Sequence, residues 1–204
     1  MASEESTAVG VGPHPLPWPE GEQYDPVLLA EGDRRNVEDK YRYWTVEAIT
    51  ADLDTTRHDV HVAIENWQHD MNIGTIVRNA NAFNVAAVHV IGRRQWNKRG
   101  AMVTDRYLHV FHHVAVDEFV AAMGDREIIA IDNQEGAAML QDAELPAGSV
   151  LVFGGEGPGL SAEMISASSR MIAIPQFGST RSVNVGVASG IMLYEWTRRN
   201  VLTD

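Results

Sequence analysis

The chain has 204 residues, enough for one globular domain with an additional segment. It contains no cysteine, which excludes a disulfide scaffold and any thiolate metal site and accords with a reducing, cytoplasmic compartment. The net charge of −12 opposes a phosphate-bearing partner, but it is uneven: residues 1–54 carry 12 acids and 4 bases, residues 55–204 carry 16 acids and 12 bases.

Residues 1–26 are rich in Pro, Gly and acids and read as a flexible, extended or disordered tail. They lack the basic start and continuous apolar core of a signal peptide. No later run reaches the ~18 apolar residues of a membrane span, so no membrane partner is expected. Residues 27–54 read as a short helical N-terminal extension, with a helix over Arg34–Thr50 that places Val37, Tyr41, Trp44 and Ala48 near one face.

From residue 55 to 204 the pattern alternates. HVAIEN reads as a buried strand, NIGTIVRNANAFNV as a helix and turn, AAVHVIG as a strand. After a basic loop, HVFHHVAV is a strand, DEFVAAMGD a helix, EIIAIDN a strand and AAMLQDAE a short helical turn. SVLVFGGE, SAEMISASS and RMIAIPQ read as strand, helix and strand, and the last helix covers about Asn184 to Arg199. Such alternation predicts an α/β fold with a largely parallel sheet, flanking helices and ligand sites at the carboxyl ends of the strands.

Three segments carry polar residues in places where packing alone does not ask for them. In LVFGGEGPGLS (151–161), the glycines suit a tight strand-to-helix turn with Ser161 as N-cap, or close backbone approach to a ligand; Glu156 gains little from the turn itself. In NIGTIVRNA (72–80), Asn72 suits a helix cap and Arg78 a surface cation, or both serve a site. In IPQFGSTRSVNVGVASGIMLY (174–194), Ser182 and Asn184 stand where a buried helix begins, beside amides that lack helical partners.

These three segments, in this order, resemble the signatures of the SpoU branch of the SPOUT RNA methyltransferases, over roughly residues 60–200. Val183 for the usual Leu and Arg181 for a small residue are departures. The resemblance implies a C-terminal deep trefoil knot, S-adenosyl-L-methionine as cofactor without a metal, an RNA partner and a homodimer paired through the last helix, where Ala188, Gly190, Ile191 and Leu193 stand. It casts Asn72, Arg78, Glu156, Ser182 and Asn184 as catalytic residues and Gly154, Gly155, Ile174, Gln176 and Val183 as cofactor contacts. It also implies methylation of a ribose 2′-hydroxyl. The short N-terminal extension favours tRNA; ribosomal RNA, including an antibiotic-resistance type, and a non-catalytic knotted RNA-binding protein are the alternatives. A guanidinium is an improbable proton acceptor, so Arg78 is read as anchoring the phosphate and stabilising a developing alkoxide.

The loop holding Arg93, Arg94, Trp96, Lys98 and Arg99 suits RNA, since cations hold phosphates and an indole stacks on a base; a solvated basic loop fits as well. His109, His112 and His113 read as ordinary strand histidines, because neighbours on a strand face opposite ways.

Overall fold

The computed structural model describes residues 10–67, 72–155 and 159–202. The chain divides into two compact units, Met1–Thr56 and Arg57–Asp204.

In the first unit, Asp25 caps helix α1 (Pro26–Glu31) by accepting from the Val27 and Leu28 amides at 2.8 and 3.4 Å, and Thr45 caps α2 (Val46–Asp54) through the Ala48 amide at 3.1 Å. The expected helix over residues 34–50 is broken. The fully buried Asp33 carboxylate accepts from the Arg35 guanidinium at 2.9 and 2.7 Å and from the Tyr43 amide at 3.0 Å. Burial alone would raise this carboxyl, but the Arg35 bonds and the backbone amides outweigh it and hold it at about 2. Satisfying that buried charge bends the chain, puts Tyr43 at φ +64° and lets Thr45 start a fresh helix. Residues 10–26 also differ from the flexible tail expected for 1–26. Antiparallel bridges join Val11 to Asp33 and Tyr24 to Trp44, and the His14 amide donates to the Leu29 carbonyl at 2.9 Å.

The second unit is built on β1 (His58–Asn66), α3 (Ile73–Ala82), β2 (Val85–Gly92), β3 (Val110–His113), α4 (Val116–Met123) and β4 (Ile128–Ile131). It continues with β5 (Ala138–Met139), β6 (Val150–Phe153), α5 (Ala162–Ala167), β7 (Arg170–Ala173) and α6 (Val185–Asn200). The seven strands form one parallel sheet in the order β3-β2-β1-β6-β4-β7-β5. A parallel sheet needs cover on both faces, which is why VLVF and IIAI are continuous apolar runs and fully buried. Val62, Ile64, Ile76, Val77, Met192 and Trp196 belong to one core layer, and Ala63, Ile91, Phe119, Val152 and Met164 to the other. Truncating Phe119, with no exposed surface, to Ala costs about 3–5 kcal/mol.

Two expectations fail here. Residues 137–144, read as a helical turn, contain β5, which pairs with β7 through Ala138–Ile172 and Met139–Ala173. Leu193 is not on an exposed face of α6: it is fully buried in the core, and the exposed apolar side chains of that helix are Val187, Ile191 and Tyr194.

Candidate active site

A cavity of about 480 Å³ opens at the carboxyl ends of β4, β6 and β7 beside the start of α6. Gly154, Gly155, Ile174, Gln176 and Val183 all line it, as do Ser182 and Asn184. At Gly154 bare backbone is obligatory, because a Cβ would sit 2.3 Å from the Gly159 carbonyl carbon and 2.5 Å from the Leu160 nitrogen. Gly155 and Gly159 pair across the loop. Glu156 lies outside the described residues.

Asn184, not Ser182, caps α6: its Oδ1 accepts from the Gly186 and Val187 amides at 2.9 and 3.3 Å. That fixes the amide's orientation and leaves Nδ2 to donate to Asn72 Oδ1 at 2.9 Å. Asn72 stands at the N-cap of α3 without capping it through its side chain, so its polar end serves this contact across 112 positions of sequence. The two helices are locked further along. Asn79 Nδ2 donates to the Gly186 carbonyl at 2.8 Å and to Ser189 Oγ at 2.9 Å, and a Cβ on Gly186 would lie 2.8 Å from Thr75 Cγ2. Arg78 is exposed on α3 and is not part of the cavity wall.

The cationic loop is held against the same helix. A Cβ on Gly74 would lie 2.8 Å from Gly100 Cα, so backbone meets backbone where α3 begins. Arg93, Arg94, Lys98 and Arg99 are exposed, while Trp96 is half-buried against the core. Lys98 Nζ lies 5.4 Å from the Trp96 ring and 2.6 Å from Asp105 Oδ2, so part of its charge is already matched.

Three site residues escaped the sequence reading. Asp132 and Asn133 line the cavity: Asp132 accepts from the Asn133 amide at 2.7 Å and Gln134 Nε2 at 2.8 Å, and Asn133 Nδ2 donates to the Arg181 carbonyl at 2.9 Å. The signal was available, since polar residues directly after a buried parallel strand sit where such sheets bind ligands. Glu65, fully buried at the end of β1, was hidden inside a run read as a strand.

Among the described residues no cluster of three or more His, Cys, Asp or Glu side chains is arranged to hold a metal ion. His112 and His113 do face apart, with His112 Nε2 2.8 Å from the Gly92 carbonyl. His113 instead ends a hydrogen-bonded row across three strands, in which His61 and His89, then His89 and His113, approach at 2.9 Å. Burial pushes His89 down to about 3 and His61 to about 4, with neighbouring His61 and His113 adding to the first and Arg126 to the second. His113 is lowered too, again by burial.

The chain is 26% identical over 146 residues to the tRNA (guanosine(18)-2'-O)-methyltransferase of Escherichia coli K12, covering 69% of this chain and 64% of that protein. It is 28% identical over 155 residues to the Aquifex aeolicus protein of the same name, covering 72% of each. Its fold matches the A. aeolicus TrmH/SpoU tRNA modifying enzyme at a TM-score of 0.66 with 23% identity, covering 76% of this chain and 81% of that one. It also matches the SpoU methyltransferase AviRb from Streptomyces viridochromogenes in complex with AdoMet, at 0.63 with 23% identity, over 74% of this chain and 65% of that one. The model of the SpoU rRNA Methylase family aligns to residues 59–194. Since that alignment runs from β1 into α6 and takes in every segment that lines the cavity, the chain belongs to the SpoU rRNA Methylase family.

Proposed function

We propose that the protein is an S-adenosylmethionine-dependent RNA methyltransferase acting on a ribose 2′-hydroxyl, with tRNA as the favoured substrate. The observation that carries this is the hydrogen bond between Asn72 and Asn184 at the cavity, which joins a glycine-backed pocket to the helix against which the cationic loop is held. The names of the E. coli and A. aeolicus relatives support the choice of RNA and of reaction.

The residues present fit the cofactor. The cavity falls within the ~300–1,000 Å³ of small-molecule sites. Ile131, Ile172, Ile174, Val183 and Val185 give apolar walls for a purine, and bare backbone at Gly154 allows close approach. Asp132 is the charged residue among the described lining, with no Lys or Arg beside it, which suits a cationic ligand and disfavours a phosphate. When bound, the cofactor supplies an electrophilic methyl group on sulfur.

What the chain contributes is alignment and charge. A ribose hydroxyl is a weak nucleophile, so orientation and stabilisation of the developing oxyanion dominate the barrier. Asn184, pinned by its cap, orients Asn72. Arg78 holds the substrate phosphate and the developing alkoxide from the exposed side of α3. Ser182 and Glu156 complete the catalytic set in this reading. Arg93, Arg94, Lys98 and Arg99 hold flanking phosphates, and Trp96 stacks on a base.

The reading includes a C-terminal trefoil knot, a cytoplasmic location and a homodimer. Support for the dimer comes from Val187, Ile191 and Tyr194, 55%, 37% and 55% exposed on one helix, a denser apolar surface than a solvated helix needs. Light scattering at micromolar concentration tests it, and a fully active monomer overturns it. Transfer of labelled methyl groups to total tRNA and total ribosomal RNA, followed by mapping of the nucleotide, tests the function. Label on a tRNA ribose is expected; label in neither RNA overturns the reading, and label in ribosomal RNA alone reassigns the substrate.

A further inference from the structure

Two adjacent residues at the end of β1, Glu65 and Asn66, are fully buried polar side chains outside the catalytic set. Neighbours on a strand project to opposite faces. Glu65 reaches toward α5: its Oε1 accepts from the Ser161 hydroxyl at 2.7 Å and the Trp67 indole N–H at 2.9 Å, and its Oε2 accepts from the Ser161 amide at 2.7 Å. Asn66 reaches toward the cationic loop, donating from Nδ2 to the Arg93 carbonyl at 2.6 Å and the Gln95 carbonyl at 3.0 Å, while its own carbonyl accepts from the Arg93 amide at 2.9 Å.

We propose that Glu65 and Asn66 are a pair of positioning residues that fasten the two halves of the site to one strand, Glu65 setting the cofactor-side glycine loop and Asn66 setting the RNA-side cationic loop. The inference rests on the methyltransferase reading and assigns roles that reading lacks. Ser161 follows the glycine-rich loop that begins at Gly154, and at the two ends of that loop the Gly154 and Gly159 backbones stand in close contact. Ser161 Oγ accepts from the Met164 amide at 3.1 Å while donating to Glu65, so the hydroxyl proton has one direction and the loop exit one position. Among the described residues, the three groups bonded to Glu65 are all donors. Glutamine at this position must turn an NH₂ toward one of them, and the buried mismatch moves the loop. On the other face, the Asn66 amide grips the two carbonyls between which Arg94 stands, so the first residues of the cationic loop leave β2 along a fixed path.

The test is a crossed pair of affinities. S-adenosylhomocysteine binding is measured by calorimetry and substrate RNA binding by filter retention, for wild type, Glu65→Gln and Asn66→Leu. Glu65→Gln is expected to weaken S-adenosylhomocysteine at least about tenfold and to leave RNA affinity within about twofold. Asn66→Leu is expected to do the reverse. Ser161→Ala, which keeps the amide bond to Glu65 and loses the hydroxyl, gives the milder form of the first effect should Glu65→Gln fold poorly. Equal loss of both ligands in each variant, or loss in neither, overturns the proposal. A wild type that binds no S-adenosylhomocysteine refutes the cofactor reading instead, so the two failures are distinguishable.

Discussion

Replacing His89 with phenylalanine should flatten the acid limb of the protein's stability curve. His89 is 3% exposed, stacked between His61 and His113 at centroid distances of 5.2 Å and flanked by Phe111 and Phe119, so an aromatic ring fits the space. In the folded protein burial and its two imidazole neighbours hold it at about 3, against 6.5 ordinarily. Above pH 6.5 neither folded nor unfolded His89 carries a proton, and the stability is fully present. As pH falls below 6.5 the unfolded chain takes up a proton that the folded one refuses, and stability is lost down to the folded pKa. At ~1.4 kcal/mol per pH unit, His89 alone removes about 2–3 kcal/mol between pH 6.5 and 4.5. His61, depressed to about 4 but partly exposed, adds less than its shift suggests. The phenylalanine variant also loses two hydrogen bonds at every pH, so the diagnostic quantity is the slope. Urea unfolding of both proteins at pH 7.5, 6.5, 5.5 and 4.5 measures it. The wild type should lose about one proton's worth more stability per unit than the variant. Parallel slopes would mean that His89 protonates in the fold at its ordinary pH and would refute the reasoning.

Arg78→Ala should lower methyl transfer by at least about 100-fold with S-adenosylhomocysteine affinity unchanged, because the side chain is outside the cavity wall; calorimetry and single-turnover transfer check this together. Gly154→Ala should abolish cofactor binding, since its Cβ overlaps the Gly159 carbonyl, whereas Gly178→Ala, whose Cβ meets nothing within 4 Å, should bind as wild type in the same titration. Deleting residues 1–26 removes the Val11 and Tyr24 bridges and the Asp25 cap, so limited proteolysis should find new cleavage sites within residues 27–56.

The alternation of strand and helix was legible because parallel strands buried on both faces are short apolar runs, as in IIAI and VLVF, and because Ser161 and Asn184 announce helix starts through their capping bonds. Ala138–Met139 was not legible. Two exposed residues on a sheet edge have no alternation to read, and only their pairing with β7 makes them a strand. The break at Tyr43 was invisible for another reason: it follows from the burial of Asp33, which composition gives no means to foresee. At the site, glycine spacing and the Ser-Val-Asn triplet marked the cavity wall, and Asp132 stood in plain view at a strand end, whereas Glu65 acquires its meaning from a partner 96 positions away. Leu193 and Ile191 look alike in sequence, and only the rotation of α6 on the sheet separates core from surface.

The strand order has a consequence for a chain made from its N-terminus. β1 is complete at Asn66, yet one of its edges has no neighbour until Val150–Phe153 is made, and β4 waits for that same strand. At ~5–20 residues per second the wait is on the order of ten seconds. For the last part of it, once Ile128–Ile131 is made, both β1 and β4 present an unpaired apolar edge shaped to accept the same insert. Truncation between residues 132 and 149 makes that temporary state permanent, and such a fragment then offers open edges onto which other copies can stack.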